Sequence, residues 1–318
     1  MTCMSGLEFD EFEEAMRGVE GRYIPLKRDT HDWRLQSLAL ADIEVMLCQN
    51  GGGSIYDGAC YNENFGLFFP LSKIDHLLVN GREVGDSTLT WLSAGRDFHI
   101  YNSGVLRWVG ISVGHQTISR WLDLDTEGTR LDRHEHLIGH GHPQRMAELT
   151  DLVIRMFDVN DATPAILDAS ASRGELYEQL AHGIHDALQS MEPATTGTLG
   201  RPRMSRSEII RCALKLLDFP LGESVRLADL CRAAGVSSRT LHAAFNEHFG
   251  VSPHRFLMLK RLRAIHEALR LAEPSETVAQ ICGRFGVWDF GRFSGLYRRV
   301  YGVPPSRALA AKRPGLTA

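Results

Sequence analysis

Two stretches in the last third of the chain repeat one pattern of apolar and polar positions. The first, AAGVSSRTLHAAFNEHFGVSP, spans residues 233–253, and the second, RFGVWDFGRFSGLYRRVYGVPP, spans residues 284–305. Leucine or an aromatic residue recurs at i, i+4 and i+8 in both copies, a spacing that places these side chains on one face of a helix. Residues of the first copy align with residues 51 positions later as far as Gly235, which aligns with Gly286. Beyond that glycine the separation is 52 positions, so the second copy has one extra residue in its turn.

Each copy predicts two helices joined by a glycine turn. In the first copy, LADLCRAA predicts a supporting helix and SRTLHAAFNEHF a second helix, capped by Ser237 or Ser238. Gly235 lies between them, where a turn of positive φ favours glycine. The apolar positions of the second helices are expected to face the core: Leu241, Phe245 and Phe249 in one copy, and Phe293, Tyr297 and Tyr301 in the other. The chain therefore predicts two helix-turn-helix units.

The first turns of the two second helices are the candidate DNA-reading positions, because the major groove admits one helix and its N-terminal turns reach the base edges. In the first unit the outward positions are Ser238, Arg239, His242 and Ala243. In the second unit they are Asp289, Phe290, Gly291, Arg292, Ser294 and Gly295. We expect Ser237, Arg298 and Arg299 to contact phosphates, with a solvated face as the alternative for the two arginines.

Charge supports this reading of the C-terminal part. Residues 1–200 carry 15 Lys and Arg against 30 Asp and Glu, a net charge of -15. Residues 201–318 carry 20 against 9, a net charge of +11. A small domain of that charge suits a polyanion, because each neutralised phosphate releases condensed counterions.

At these residues the chain resembles the AraC/XylS family of transcription regulators. The segments that carry the resemblance are GVSSRTLHAAFNEHFGVSPHRFLMLKRLRAIHEAL and VAQICGRFGVWDFGRFSGLYRRVYGVPPSRAL, within residues 205–311. The resemblance implies two units joined by a long helix, here residues 253–272, which enter successive major-groove segments of double-stranded DNA and usually activate transcription, with RNA polymerase as a partner. Phe290 and Gly291 stand where many members carry polar residues, and PPSRAL lacks the commoner tyrosine. These departures weaken the case for base-specific reading by the second unit.

The N-terminal part predicts strands and then a helical pair. Apolar residues alternate in LQSLALADIEVMLCQ, further short apolar runs follow, and Asn80-Gly81 is a hairpin turn signal. Residues 142–157 and 172–189 predict two amphipathic helices. We therefore expect an α+β protein: residues 1–190 form an effector-sensing and dimerisation domain, with a cupin-like antiparallel β-barrel at about 20–125 and a helical hairpin at about 142–190. Residues 191–204 are a linker, and residues 205–312 are an all-α double helix-turn-helix domain.

The N-terminal domain leaves several functions open. The cluster His134, His136, His140 and His142 suits either a polar connector or a metal site, while His76, His99 and His115 are isolated. A metal-binding cupin-like sensor or enzyme tethered to DNA is the alternative to a regulator, and a regulator controlled only by its abundance is a third. The aromatic residues of the strands are either core or pocket lining, with Arg34, Arg96 or Arg107 as candidate holders of an anionic group. We expect no cofactor, no metal and no catalytic residue.

The location and assembly are expected to be those of a cytoplasmic homodimer. No segment has the apolar length of a membrane span, and the first residues are acidic where a secretory signal would be basic and then apolar. The apolar stripes of the two predicted helices either pack against each other or the barrel, or leave a surplus that a two-fold partner would bury. The effector is unknown.

Overall fold

The computed structural model describes residues 2–73, 75–124, 136–162, 170–193, 204–217 and 225–311. Strands form most of the N-terminal part. Their bounds are β1 Thr2–Leu7, β2 Val19–Pro25, β3 Trp33–Leu40, β4 Ile43–Asn50, β5 Ser54–Cys60, β6 Asn64–Pro70, β7 Leu77–Val79, β8 Arg82–Glu83, β9 Thr88–Leu92, β10 Asp97–Asn102, β11 Leu106–Gly114, β12 Leu137–His140 and β13 Glu192–Pro193. The predicted turn at Asn80-Gly81 joins β7 to β8, and both residues have the positive φ, 50° and 77°, that a two-residue hairpin turn requires.

These strands form two facing sheets and not the closed barrel that we expected from the sequence. One sheet has the order β1-β3-β4-β11-β6-β9-β12-β13 and the other β2-β5-β10-β7-β8. A barrel needs an unbroken ladder around all strands. Here a single bridge between Cys60 and Ala94 links the two sides in the described part of the chain, and the outer edges carry the two-residue strands β8 and β13. The facing sides still share one apolar core, so the α+β class is confirmed.

Four helices accompany the sheets in the described ranges: α1 Phe9–Ala15, α2 His115–Leu124, α3 Pro143–Ala162 and α4 Ser170–Gln189. The last two are the predicted hairpin. Leu149 and Val153 of α3 and Leu180 and Ile184 of α4 are buried in one cluster with the outer face of the larger sheet. The apolar stripes of the two helices are therefore buried within a single chain. The described part of the hairpin leaves no large apolar surface that a dimer would have to cover.

The C-terminal part is helical, with bounds close to those predicted. Its helices are α5 Arg206–Leu214, followed by a 3-10 turn Lys215–Leu217, then α6 Leu227–Ala234, α7 Ser238–Phe249, α8 Pro253–Leu271, α9 Val278–Arg284, α10 Phe290–Tyr301 and α11 Pro305–Ala311. Ser205 caps α5 by accepting a hydrogen bond from the main-chain N–H of Glu208. Of the predicted linker, Glu192–Pro193 pairs with β12 as β13, and residues 194–203 lie outside the described residues.

The C-terminal helices pack directly on the smaller sheet. Ile24 of β2 and Ile55 of β5 belong to the same apolar core as Phe256 and Leu259 of α8. Gly250 ends α7 with a φ of 63°, and a side chain at this position would overlap the ring of Tyr101 on β10. The two parts of the chain are therefore docked, although the sequence predicted only a flexible connection between them.

A buried ionic network ties α1 to α8. The guanidinium of Arg263 on α8 lies 2.9 Å from Asp10 Oδ1 and 3.1 Å from Glu13 Oε1, and its Nε donates to the carbonyl of Tyr23 at 3.1 Å. Arg263 is only 6% exposed. Two carboxylates and a carbonyl replace part of the water that this charge loses on burial, whereas its Nη1 is buried without a hydrogen-bond partner.

Asp10 also contacts two further side chains of α8. Nε2 of His266 lies 2.8 Å from Asp10 Oδ2, and Nη1 of Arg270 lies 2.7 Å from the same oxygen. Burial raises the pKa of Asp10, but the hydrogen bond from His266 and the charge of Arg263 outweigh burial and hold this pKa below its ordinary value. Asp10 is therefore a charged carboxylate within ion-pair distance of three side chains of α8, and it shares a hydrogen bond with one of them, His266.

A second polar chain crosses the interface through two histidines. His248 Nε2 lies 3.2 Å from His99 Nδ1, and His99 Nε2 lies 3.3 Å from Asp57 Oδ1. Lys260 Nζ lies 3.0 Å from the other oxygen of Asp57. Burial and the neighbouring His99 lower the pKa of His248 to about 3, so the ring is neutral in the docked protein.

Asp10→Ala is expected to lower the free energy of unfolding by about 3–5 kcal/mol, because it leaves the buried Arg263 charge with one carboxylate fewer. Denaturation in urea measures this loss. Asp151→Ala is the control, since the Asp151–Arg155 pair is 4.0 Å apart and two-thirds exposed, and its loss should stay within about 1 kcal/mol. Equal losses for the two variants would contradict a buried network.

The docked fold is also expected to weaken as the pH falls from 6.5 to 5. The unfolded chain protonates His248 near its ordinary pKa of 6.5, whereas the folded chain resists protonation until about pH 3. The stability that this neutral ring contributes is therefore complete above pH 6.5, and about 2 kcal/mol of it is lost by pH 5. His248→Gln should flatten the pH dependence of the unfolding free energy; an unchanged slope would contradict the assignment.

Candidate nucleic-acid interface

The first helix-turn-helix unit is formed by α6, the Gly235 turn and α7. Gly235 has a φ of 64°, and Ser237 caps α7 by accepting from the main-chain N–H of Thr240 at 3.2 Å. Leu241, Phe245 and Phe249 are fully buried, as the spacing predicts. Ser238, Arg239 and Ala243 are exposed at the start of α7, and His242 is half-buried.

The second unit is formed by α9, the turn at Gly286 and α10. Gly286 has a φ of 67°, and Asp289 caps α10 by accepting from the main-chain N–H of Arg292 at 3.0 Å. The predicted base-reading Asp289 thus has a structural role that its sequence position did not reveal. Phe293 and Tyr297 are buried and Tyr301 is half-buried. Phe290, Gly291, Arg292 and Gly295 are exposed, and Ser294 is half-buried.

The predicted phosphate contacts lie at two different ends. Ser237 is exposed at the start of α7, where its hydroxyl is already engaged as the cap. Arg298 and Arg299 are exposed in the last turn of α10. They are therefore separated from the reading turn of the same helix by most of its 12 residues.

The N-terminal domain contacts the C-terminal ends of both second helices. At α7, His248 meets His99 and Phe249 packs on the same ring at 5.1 Å between centroids. At α10, the carbonyl of Arg299 accepts from the main-chain N–H of Arg28 at 3.1 Å. Docking therefore covers one end of each helix and leaves the opposite end, where the base-reading residues are predicted, exposed.

Two described histidines of the candidate metal cluster, His136 and His140, have other hydrogen-bond partners. His136 Nδ1 accepts from the N–H of Ser93 at 3.1 Å, and its Nε2 lies 2.8 Å from the carbonyl of Asp97. His140 Nδ1 lies 3.5 Å from the hydroxyl of Thr88, and His134 lies outside the described residues. Among the described residues no three His, Cys, Asp or Glu side chains gather where they could hold a metal ion.

An apolar cavity of about 40 Å³ lies between the two sheets. Among the aromatic residues of the strands, which the sequence left open as core or pocket lining, Phe68, Phe98 and Trp108 line it, whereas Phe65 and Trp91 stack on each other beneath the hairpin. The arginine at the cavity is Arg17; the three candidates Arg34, Arg96 and Arg107 are not among its lining residues. Asn50 and Asn102 supply its polar side, and Asn50 accepts from Trp108 Nε1 at 2.8 Å.

Comparison with known proteins identifies the C-terminal part. Residues 230–311 match the family model of a helix-turn-helix domain. The probable thc operon regulatory protein of Rhodococcus erythropolis is 34% identical over 112 residues, 35% of this chain and 34% of that one. The XylDLEGF operon transcriptional activator 3 of Pseudomonas putida is 27% identical over 137 residues, 42% of this chain and 39% of that one. The C-terminal domain is a helix-turn-helix domain of the AraC/XylS type.

The resemblance seen in the sequence is therefore confirmed for this domain. The chain spans about a third of the length of the Rhodococcus relative and about two-fifths of the Pseudomonas one, as 34% and 39% of their residues align. Among solved structures, the AraC-like transcriptional activator CuxR aligns with 84% of this chain and 96% of its own, at 13% identity and a TM-score of 0.42. No helix in the described part of the chain is long and apolar enough to cross a membrane.

Sequence reasoning missed the residues that dock the AraC/XylS-type domain. Asp10 and Glu13 lie in a seven-residue helix whose acidic side chains look like a solvated surface in the sequence. Arg263 and His266 lie within the predicted long helix, where a three-residue spacing shows only that they share a face. The one available sequence signal was that Arg263, a charged residue, lies on the otherwise apolar face of α8, which indicates a buried partner elsewhere in the chain.

Gly295→Ala is expected to change protein stability and DNA affinity in opposite directions. A Cβ at this exposed helical position would meet no protein atom within 4 Å, so alanine should raise the free energy of unfolding by up to about 1 kcal/mol. The same methyl group projects from the predicted DNA-facing side, where an overfilled contact should weaken binding about tenfold. Urea denaturation and fluorescence anisotropy with labelled DNA measure the two effects.

Gly174→Ala on α4 is the matched control, because Gly174 is also exposed, helical and free of atoms within 4 Å of an added Cβ. It should raise stability similarly and leave DNA binding unchanged. Wild-type affinity of Gly295→Ala would show that this face of α10 does not approach DNA.

Proposed function

We propose that this protein is a sequence-specific DNA-binding transcription regulator, and more specifically an activator, whose N-terminal domain modulates the AraC/XylS-type domain. The observation that carries the proposal is the exposure of both reading ends, at Arg239 on α7 and Arg292 on α10, within one domain of high positive charge. Each reading end is also a helix N-terminus, which favours the negative charge of DNA.

The N-terminal domain is proposed to sense a small ligand or a protein contact. Its apolar cavity of about 40 Å³ is well below the roughly 300 Å³ of an ordinary ligand pocket, so a ligand would have to widen it. Widening that displaces the smaller sheet would move β2, β5 or β10, whose residues Tyr23, Tyr56 and Phe98 line the cavity on that side. The same three strands carry the contacts to α7 and α8, which gives a ligand a direct route to the DNA-binding domain.

RNA polymerase and a second copy of the chain are the proposed protein partners. The hairpin buries its own apolar stripes, so a homodimer would use another surface of the N-terminal domain. Sedimentation of the full chain at tens of micromolar tests the dimer, and a monomer at that concentration would remove it.

Selection of binding sites from random duplex DNA tests the proposed function most simply. We expect a preferred sequence with two segments one helical turn of DNA apart, because each helix-turn-helix unit occupies one major-groove segment. Uniform weak binding to all sequences would contradict sequence-specific regulation. Footprinting on genomic DNA then identifies the promoters.

Arg239→Ala should cost about 1–3 kcal/mol of binding free energy and relax the sequence preference at one position, because Arg239 projects from the exposed start of α7 and can donate to a guanine edge. Site selection with the variant measures this. Arg298→Ala is the contrasting variant: it should weaken binding to all sequences alike and reduce the salt slope by about 1. An unchanged binding-site logo for Arg239→Ala would remove its assignment as a base reader.

A further inference from the structure

Two aromatic side chains are exposed at the reading end of the second unit. Trp288 is 75% exposed and Phe290 is 41% exposed, and the two flank the capping residue Asp289. We call Trp288 and Phe290 the aromatic pair. In the described part of the C-terminal domain, Leu271 at the end of α8 is the other large apolar side chain that is strongly exposed, at 67%.

Trp288 occupies the extra position of the second unit. One residue, Val236, separates Gly235 from the cap of α7, whereas Val287 and Trp288 separate Gly286 from the cap of α10. Both units nevertheless have a glycine of positive φ in the turn and a second helix with a buried apolar face. The insertion is therefore not required by the fold, and it adds a large apolar side chain to the surface.

Phe290 takes the place that Ser238 has in the first unit, directly after the cap. Its neighbours on the outward face are Gly291 and Gly295, which have no side chains that could donate to a base. Arg292 is the exposed donor in the same turn. The predicted reading end of α10 thus has an apolar side, one cation at Arg292 and the capping carboxylate of Asp289, where the corresponding end of α7 has polar groups.

We propose that the aromatic pair reads thymine by contact with its C5-methyl group in the major groove, so that Trp288 and Phe290 determine the specificity of the second unit. This inference rests on the proposed function. The thymine methyl is the apolar group that the major groove displays, and apolar side chains distinguish thymine through it. The exposed Arg292, within a C-terminal part of net charge +11, favours the polyanion over an uncharged apolar protein surface as the occupant.

The test removes the methyl group from DNA without changing base pairing. Each thymine of the second segment in the selected site is replaced in turn by uracil, and affinity is measured by fluorescence anisotropy. Loss of one buried methyl, about 0.8 kcal/mol, corresponds to roughly fourfold weaker binding. For the wild-type protein we expect this loss at one or more positions of the second segment.

The double variant Trp288→Ala/Phe290→Ala should bind thymine and uracil sites equally at those positions. Phe290→Gln keeps a side chain of similar length at the start of α10 and should move the preference at one position from thymine toward adenine, whose edge glutamine can pair. Leu271→Ala is the matched control, since it removes another strongly exposed apolar side chain, at the end of α8 near Asp10 and Glu13, and it should keep the full thymine preference.

Three results would overturn the inference while leaving the proposed function intact. They are specific DNA binding by the wild type without any thymine preference over uracil, an unchanged preference in the double variant, and loss of promoter activation by the double variant with DNA binding and thymine preference intact. The last result would assign the aromatic pair to a protein partner. A wild-type protein that binds no duplex DNA specifically would instead overturn the proposed function itself.

Discussion

The ion pairs of Arg263 with Asp10 and Glu13 are the interaction on which the arrangement of the whole chain depends. Arg263 lies on the helix that joins the two helix-turn-helix units, and the two carboxylates lie on the first helix of the N-terminal domain. A charge buried to this extent is stable only against its own partners, so the network allows one way of docking and penalises displaced ones. Ile24 and Ile55 share an apolar core with α8 and so stabilise the docked form by burying apolar surface. This stabilisation is non-directional, so it does not by itself fix the orientation of the two domains.

Docking at this place has a functional consequence. The N-terminal domain covers the last turns of α7 and α10, at His248 and Arg299, while Arg239 and Arg292 stay exposed at their first turns. One neighbouring domain contacts both second helices, while α8 joins the two units. In the proposed regulator the two units enter two groove segments together, so we expect a small change at β2, β5 or β10 to alter DNA affinity without touching any residue predicted to face DNA.

Much of the C-terminal domain could be predicted from the sequence, because a helix-turn-helix unit is local. The spacing of Leu241, Phe245 and Phe249 and the glycine at 235 are enough to predict the bounds of α7. The docking could not be predicted, since Asp10 and Arg263 are 253 positions apart in the chain and each is ordinary in its own helix. The prediction of a closed barrel was wrong, because the alternation of apolar and polar residues shows which side of a strand is buried but not whether the last strand pairs with the first. The roles of Asp289 as a cap and of the aromatic pair at the surface required exposures and hydrogen bonds that no periodicity provides.

Hydrogen–deuterium exchange of the full-length protein, with and without its selected DNA site, tests most directly whether the protein binds DNA while its two domains stay docked. If DNA is bound by the docked protein, the main-chain amides of α1 and β2 should keep their protection when DNA is added, while those in the first turns of α7 and α10 should become more protected. Loss of protection in α1 and β2 on DNA binding would contradict the account, because it would mean that the network around Arg263 must open before the helices can read DNA.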